Sequence, residues 1–172
     1  MSEEHNTPDF DANAAAAAGD QSQAQFAMQR IYNKDISFEA PNTPEIFQEQ
    51  GQLEMKLNLG QRVEQMGEDL FEVILTITVT GTVNEKTAYL CEVQQAGIFQ
   101  VSGMNEQQKN GVINVYCPNT LFPYGRATVS QLVAAAGFPP VMLQPISFEQ
   151  VYAQRLQEAA QNAGDSSAEG TA

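Results

Sequence analysis

Apolar and polar residues alternate along four stretches in the first part of the chain, the pattern of strands that keep one face wet. The first runs from about Phe26 to Glu39, with Met28, Tyr32, Ile36 and Phe38 expected on one side and Asp35, Ser37 and Glu39 on the other. Pro41 and Pro44 end it, because proline donates no ladder hydrogen bond. The second, Leu53 to Leu59, alternates Leu53, Met55, Leu57 and Leu59 with Glu54, Lys56 and Asn58. Glu64 to Asp69 reads as a polar loop. Leu70 to Val83 carries the strongest alternation: Phe71, Val73, Leu75, Ile77 and Val79 face one way, while Glu72, Thr76, Thr78 and Thr80 face the other. Asn84, Glu85 and Lys86 then close a hairpin into a fourth strand, Thr87 to about Gln95. Antiparallel strands that each keep a wet face imply a sheet packed on one side only.

Beyond Gln95 the period changes. Gly97 to Gly103 reads as a short apolar connection, and Asn105 to Val115 as a helix with a polar start, which Pro118 interrupts. A further helix is expected from Leu121 or Phe122 to Ala136, after which Gly137, Pro139, Pro140 and Pro145 enforce an extended crossing segment. Ser147 caps the last helix, with Gln150 at the third helical position of a capping box. Phe148, Val151, Tyr152, Leu156 and Ala159 form one stripe at helical spacing. Strands first and helices second define an α+β fold, a four-stranded antiparallel sheet with helices packed on one face. Residues 1–25 and 162–172 are polar and lack apolar periodicity, so they are expected to be flexible tails, the first acidic and disordered, around one folded domain over residues 26–161.

Composition narrows the function. At 42% hydrophobic residues the chain can build a core, yet no apolar run approaches the ~20 residues that span a bilayer. No basic patch followed by an apolar stretch opens it, so its start does not read as a secretion signal, and two distant cysteines require no disulfide framework. A cytosolic location is expected. The net charge of −13 repels phosphate backbones and anionic lipid and attracts basic partners, which argues against nucleic-acid binding and membrane insertion. Catalysis finds no footing. The single histidine, His5, lies in the N-terminal tail, so a rigidly placed general base or triad is missing. Cys91 and Cys117 have no histidine partner in the folded body and read as buried structural thiols, and two cysteines fall short of a zinc ligand set. No glycine-rich phosphate loop follows a strand, and the Glu68–Asp69 pair reads as a solvated turn. No cofactor is implied. The remaining chemistry is binding.

Several runs of the folded body resemble the SecB family of protein-export chaperones: I-S-F-E-A-P-N at Ile36 to Asn42, Y-L-C-E-V-Q-Q-A-G-I-F at Tyr89 to Phe99, Y-C-P-N-T-L-F-P-Y-G-R at Tyr116 to Arg126, and G-F-P-P at Gly137 to Pro140. They occur in the family's order over most of the chain from Met28 to Leu156. The loop Gly60 to Asp69 and both tails do not match closely. The resemblance implies a homotetramer, a dimer of dimers with helices layered between outward-facing sheets. It implies an ATP-independent holder of unfolded precursor proteins that passes them to the SecA ATPase, whose basic zinc-bearing C-terminal segment docks on the acidic outer sheet.

The same resemblance assigns SecA binding to Asp35, Glu39, Leu90 and Glu92, and tetramer assembly to Cys91, Val93 and Gln95. Strand parity is consistent with it: Asp35 and Glu39 lie opposite Ile36 and Phe38, and Leu90 and Glu92 share a face opposite Cys91, Val93 and Gln95. Without the family, a merely solvated sheet face would explain the carboxylates. For the client groove, apolar side chains around the second strand and the crossing segment are the candidates: Met55, Leu57, Leu59, Leu121, Phe122, Tyr124, Phe138, Phe148 and Tyr152, of which only a minority is expected to touch clients. Competing readings are a SecB-like adaptor that guards an antitoxin, a small-ligand binder or enzyme, and a purely structural oligomer.

Overall fold

The computed structural model describes residues 24–165. Most of the two expected tails, His5 included, lies outside the described residues. At their inner ends Gln25 already belongs to the first strand, and the last helix runs to Asp165.

Strands β1 (Gln25–Glu39), β2 (Glu54–Gln65), β3 (Leu70–Val83) and β4 (Lys86–Ser102) form one antiparallel sheet in the order β1-β4-β3-β2. β1 and β2 are therefore opposite edges, joined by a crossing loop that holds a 3-10 turn, Glu45–Gln48. β3 has the expected bounds. The β3–β4 hairpin turns on Asn84 and Glu85, both at positive φ (49° and 65°), the two-residue turn whose twist matches its strands.

Three strand expectations need correction. β2 continues past Leu59 to Gln65, paired residue for residue with β3, so the polar loop shrinks to a tight turn before Leu70. β4 continues through the supposed connection Gly97–Gly103 as far as Ser102. Gly97 is not a break but a place where nothing larger fits: a Cβ there would stand 2.7 Å from the Phe99 ring and 3.0 Å from Leu121. In β1, two bulges, between Met28 and Arg30 and between Asn33 and Asp35, each insert a residue and reverse the alternation. Tyr32 consequently faces away from Met28, Ile36 and Phe38, with which simple alternation grouped it.

The helices cover the other face. α1 (Glu106–Gly111) starts at a full capping box between Asn105 and Gln108, passes into a π-helical turn, Val112–Tyr116, and continues as α2 (Cys117–Ala135). The helical path from Glu106 to Ala135 is thus unbroken, contrary to the expected interruption at Pro118. That proline sits in the first turn of α2, directly after the π turn, where its missing N–H costs least. Gly137, at φ +89°, ends α2: its N–H donates to the Ala134 carbonyl at 3.1 Å and that of Phe138 to the Val133 carbonyl at 3.2 Å. After the crossing segment, Ser147 Oγ accepts from the Gln150 N–H at 3.3 Å and starts α3 (Phe148–Asp165). α2 packs on β4 and β3, closing a core that includes Val73, Ile77, Val93, Leu121, Val129 and Val133. The outer face of the sheet carries no helix among the described residues.

Candidate functional site

Register turns the outer face into a grid. From the β1 edge to the β2 edge its rows read Arg30, Ile98, Glu72, Glu64; then Tyr32, Ala96, Ile74, Arg62; then Asp35, Gln94, Thr76, Gly60; then Ser37, Glu92, Thr78, Asn58; then Glu39, Leu90, Thr80, Lys56. The first two rows are closed over. Tyr32 reaches from β1 across Ala96 on β4 to donate its hydroxyl to Glu72 on β3, and Lys34 Nζ reaches the same carboxylate at 2.7 and 2.9 Å. Ala96 and Ile74 are buried beneath them, and Glu72 is only 6% exposed.

The last three rows are open. Asp35 and Glu39 are exposed, Leu90 lies directly across from Glu39, and Glu92 lies across from Ser37 with one carboxylate oxygen accepting from Thr78 Oγ1 at 3.0 Å. The ion pairs among the described residues are Lys34–Glu72, Arg62–Glu64, Lys86–Glu49 and Lys109–Asp69, so Asp35, Glu39 and Glu92 carry no counter-ion there. All four residues assigned to this surface share one face, three of them carboxylates beside one apolar side chain at 36% exposure.

Cys91, Val93 and Gln95 occupy the opposite face of β4, buried under α2. The Gln95 amide donates to the Tyr32 carbonyl at 2.9 Å, beside the second bulge of β1, and its Cβ lies 3.3 Å from where a Cβ on Gly125 would stand. Gln95 thus meets α2 at Gly125, where a larger residue would not fit.

The residues assigned to a client groove divide. Met55 (53% exposed) and Leu57 (37%) stand uncovered on the inner face of β2, because α2 covers β4 and β3 and leaves this end of the edge strand bare; Leu59 is half-buried in the same row. Leu121, Phe122, Phe138 and Phe148 are buried in the core, which removes them from the candidates for a surface groove. Phe122 and Phe148 pack ring to ring at 5.9 Å, and Phe138 packs against Tyr89 at 5.0 Å. Tyr152 is half-buried on α3. Tyr124 is exposed but lines a hollow of about 310 Å³ with Ile31, Asn33 and Gln95, on the β1 side and away from Met55. Two residues missed in the sequence join the apolar surface. Phe47, half exposed and 5.0 Å from Phe138, follows the end of β1, and Met142 protrudes from the crossing segment.

Buried protonated groups make the fold sensitive to base. Burial pushes the Cys91 thiol up to about 11 and the Cys117 thiol up to about 12. Burial, then the bond to Glu72, pushes Tyr32 up to about 12. Each group is held neutral in the fold, so its contribution is complete below the unfolded-state values of roughly 8.5 for a thiol and 10 for a tyrosine, and is lost as pH rises towards the folded values. Denaturant midpoints are expected to fall steadily between pH 8 and pH 11; a flat midpoint over that range would contradict the burial of these groups. Burial works to raise Glu72, but hydrogen bonds from Lys34 and Tyr32 outweigh it and hold the carboxyl below its ordinary range. Its contribution is present above the unfolded carboxylate pKa and lost as pH falls through the folded one.

The sheet thus leaves two surfaces uncovered, an acidic half on its outer face and an apolar row on its inner edge. The sequence profile of the family described as "Preprotein translocase subunit SecB" matches residues 19–159. Proteins named "Protein-export protein SecB" are close relatives: that of Methylococcus capsulatus is 50% identical over 143 residues, 83% of this chain and 92% of its own, and that of Alkalilimnicola ehrlichii is 42% identical over 163 residues, 95% and 87%. The chain belongs to the SecB family of protein-export chaperones. Among solved structures, the SecB-like chaperone of Mycobacterium tuberculosis, in complex with a ChAD peptide from the HigA1 antitoxin, shares the fold at a TM-score of 0.60 and 16% identity, over 71% of this chain and 91% of the other.

Proposed function

We propose that the chain is an ATP-independent, non-catalytic holdase of the cytosol that keeps precursor proteins unfolded and delivers them to the SecA ATPase. The observation that carries this reading is the separation of the two surfaces onto opposite faces of one sheet: Met55 and Leu57 on the inner edge, Asp35, Glu39, Leu90 and Glu92 on the outer face. Unfolded chains expose apolar segments that folded ones hide, so an uncovered apolar row selects them without reading sequence. Many weak contacts along one wrapped chain add through high effective concentration, and binding to unfolded but not native states delays folding by mass action. The outer carboxylates are left for a basic peptide of the motor, with Leu90 supplying apolar contact.

Assembly as a homotetramer, a dimer of dimers, belongs to the same proposal. Met28, Ile36 and Tyr116 are exposed, Met28 and Ile36 on the inner face of edge strand β1, where a second copy would cover them. Cys91, Val93 and Gln95 would act on assembly indirectly, through the seating of α2. Guarding an antitoxin is the weaker reading, because 42–50% identity joins this chain to export proteins and 16% to the antitoxin-bound chaperone.

Refolding of a reduced exported precursor, followed with and without the protein, tests the holding activity. The double variant Leu57→Ser/Leu59→Ser is expected to need roughly tenfold more protein for equal suppression of aggregation, about 1.4 kcal/mol of lost apolar contact. Undiminished suppression would remove β2 from the groove, and no suppression by the unmodified protein would reduce it to a structural oligomer.

A further inference from the structure

The open and closed halves of the outer face meet at the second bulge of β1, where Lys34 and Asp35 are consecutive. Lys34 bears the cation nearest in sequence to the acidic patch, and it does not serve that patch. Its ammonium is held over the closed half by both oxygens of Glu72, at 2.7 and 2.9 Å, while the Tyr32 hydroxyl donates to the same carboxylate. The other cations of this face stand elsewhere: Arg30 is beside Ile98 at the closed end, Arg62 pairs with Glu64 at 3.3 Å, and Lys56 is on β2, two strands from Leu90. A lysine stem is long and flexible enough to choose between carboxylates within reach. Glu72 wins because it is nearly buried and already oriented by Tyr32, whereas Asp35 is exposed and its attraction is diluted by water.

We propose that the Tyr32–Lys34–Glu72 clasp is a positioning device for the docking face: by holding the Lys34 ammonium over the closed half, Glu72 keeps it off Asp35 and leaves Asp35, Glu39 and Glu92 uncompensated for a basic peptide. The inference rests on the reading that this face docks a basic partner. Glu72 touches no partner and acts through Lys34 alone. Releasing Lys34 supplies the patch with an internal competitor for the peptide's own cations.

Two substitutions break the clasp equally and have opposite consequences. Glu72→Gln frees the ammonium, whereas Lys34→Gln removes it. The probe is a fluorescein-labelled synthetic peptide rich in lysine and arginine with one apolar residue, titrated by anisotropy against the full chain at low and at physiological salt. Glu72→Gln is expected to weaken binding about three- to fivefold at low salt, with the difference shrinking as salt is added. Lys34→Gln, and the double variant Lys34→Gln/Glu72→Gln, are expected to bind at least as tightly as the unmodified chain. Glu68→Gln makes the same change in net charge in the turn beyond the closed end and is expected to leave binding unchanged. Equal weakening by Glu72→Gln and Lys34→Gln would reduce the clasp to a structural strap. Equal weakening by Glu72→Gln and Glu68→Gln would reduce the effect to net charge, and no weakening by Glu72→Gln would overturn the proposal outright. Glu92→Lys, run in parallel, separates this failure from that of the underlying reading: if it binds the peptide as the unmodified chain does, the face is not the docking site and the inference falls with it.

Discussion

Glu92→Lys is expected to weaken SecA binding about ten- to hundredfold while capture of unfolded precursor is retained. Glu92 stands at the middle of the open half, between Ser37 on β1 and Thr78 on β3, with Leu90 in the next row and Thr78 Oγ1 steering its carboxylate. Reversal does more than delete one attraction. It puts a cation among Asp35 and Glu39, which would then turn towards it, so a basic peptide meets repulsion where it met three carboxylates. Each exposed charge contributes at most about 1 kcal/mol, and losing one while reversing its sign and occupying two neighbours brings the total to roughly 1.4–2.8 kcal/mol. Titration of SecA and of a reduced precursor against the same variant measures both outcomes. Equal loss of both would mean that one surface serves both partners.

Gly97→Val is expected to destabilise the fold by about 2–4 kcal/mol, read as a lower denaturant midpoint at fixed protein concentration. Its Cβ would stand 2.7 Å from Phe99 Cε2, 2.9 Å from Phe99 Cζ and 3.0 Å from Leu121 Cδ2, and all of these atoms are fully buried. Both side chains are fully buried, so a shift of either displaces core neighbours. Phe99 also stacks on Phe26 at 5.7 Å, so the disturbance reaches the β1 edge. An unchanged midpoint would mean that β4 is not held against α2 as described.

These two positions mark the limits of what the sequence made legible. Glu92 was placed correctly because β4 itself inserts no residue between Cys91 and Gln95, the extra residue of the second bulge lying on β1, so its alternation maps directly onto the two faces. Gly97 was misread because a glycine forced by close packing and a glycine that ends a strand look alike when the ring above it is unknown. The bulges of β1 had no signature either. Each leaves a polar residue, Gln29 or Lys34, without a partner on β4, and only the observed register reveals that Tyr32 changes sides. Asp35 and Glu39 were placed correctly because both follow the second bulge. For the groove, apolar spacing identified side chains that need cover but not which of them receive it. Phe122 and Phe148 cover each other, whereas Met55 and Leu57 lie on the end of an edge strand that α2 leaves uncovered, a fact of strand order that alternation does not encode. Pro118 was read as a stop because the π turn that accommodates it follows no local rule of composition.

Two partners on opposite faces of one sheet should not compete. The direct measurement is to saturate the protein with a fluorescently labelled, reduced exported precursor, titrate SecA without nucleotide, and follow sedimentation of the label. A ternary complex, with SecA affinity within about twofold of that for the empty protein, is the predicted result; stoichiometric displacement of the precursor by SecA would show that greasy and charged surfaces are one and contradict the account.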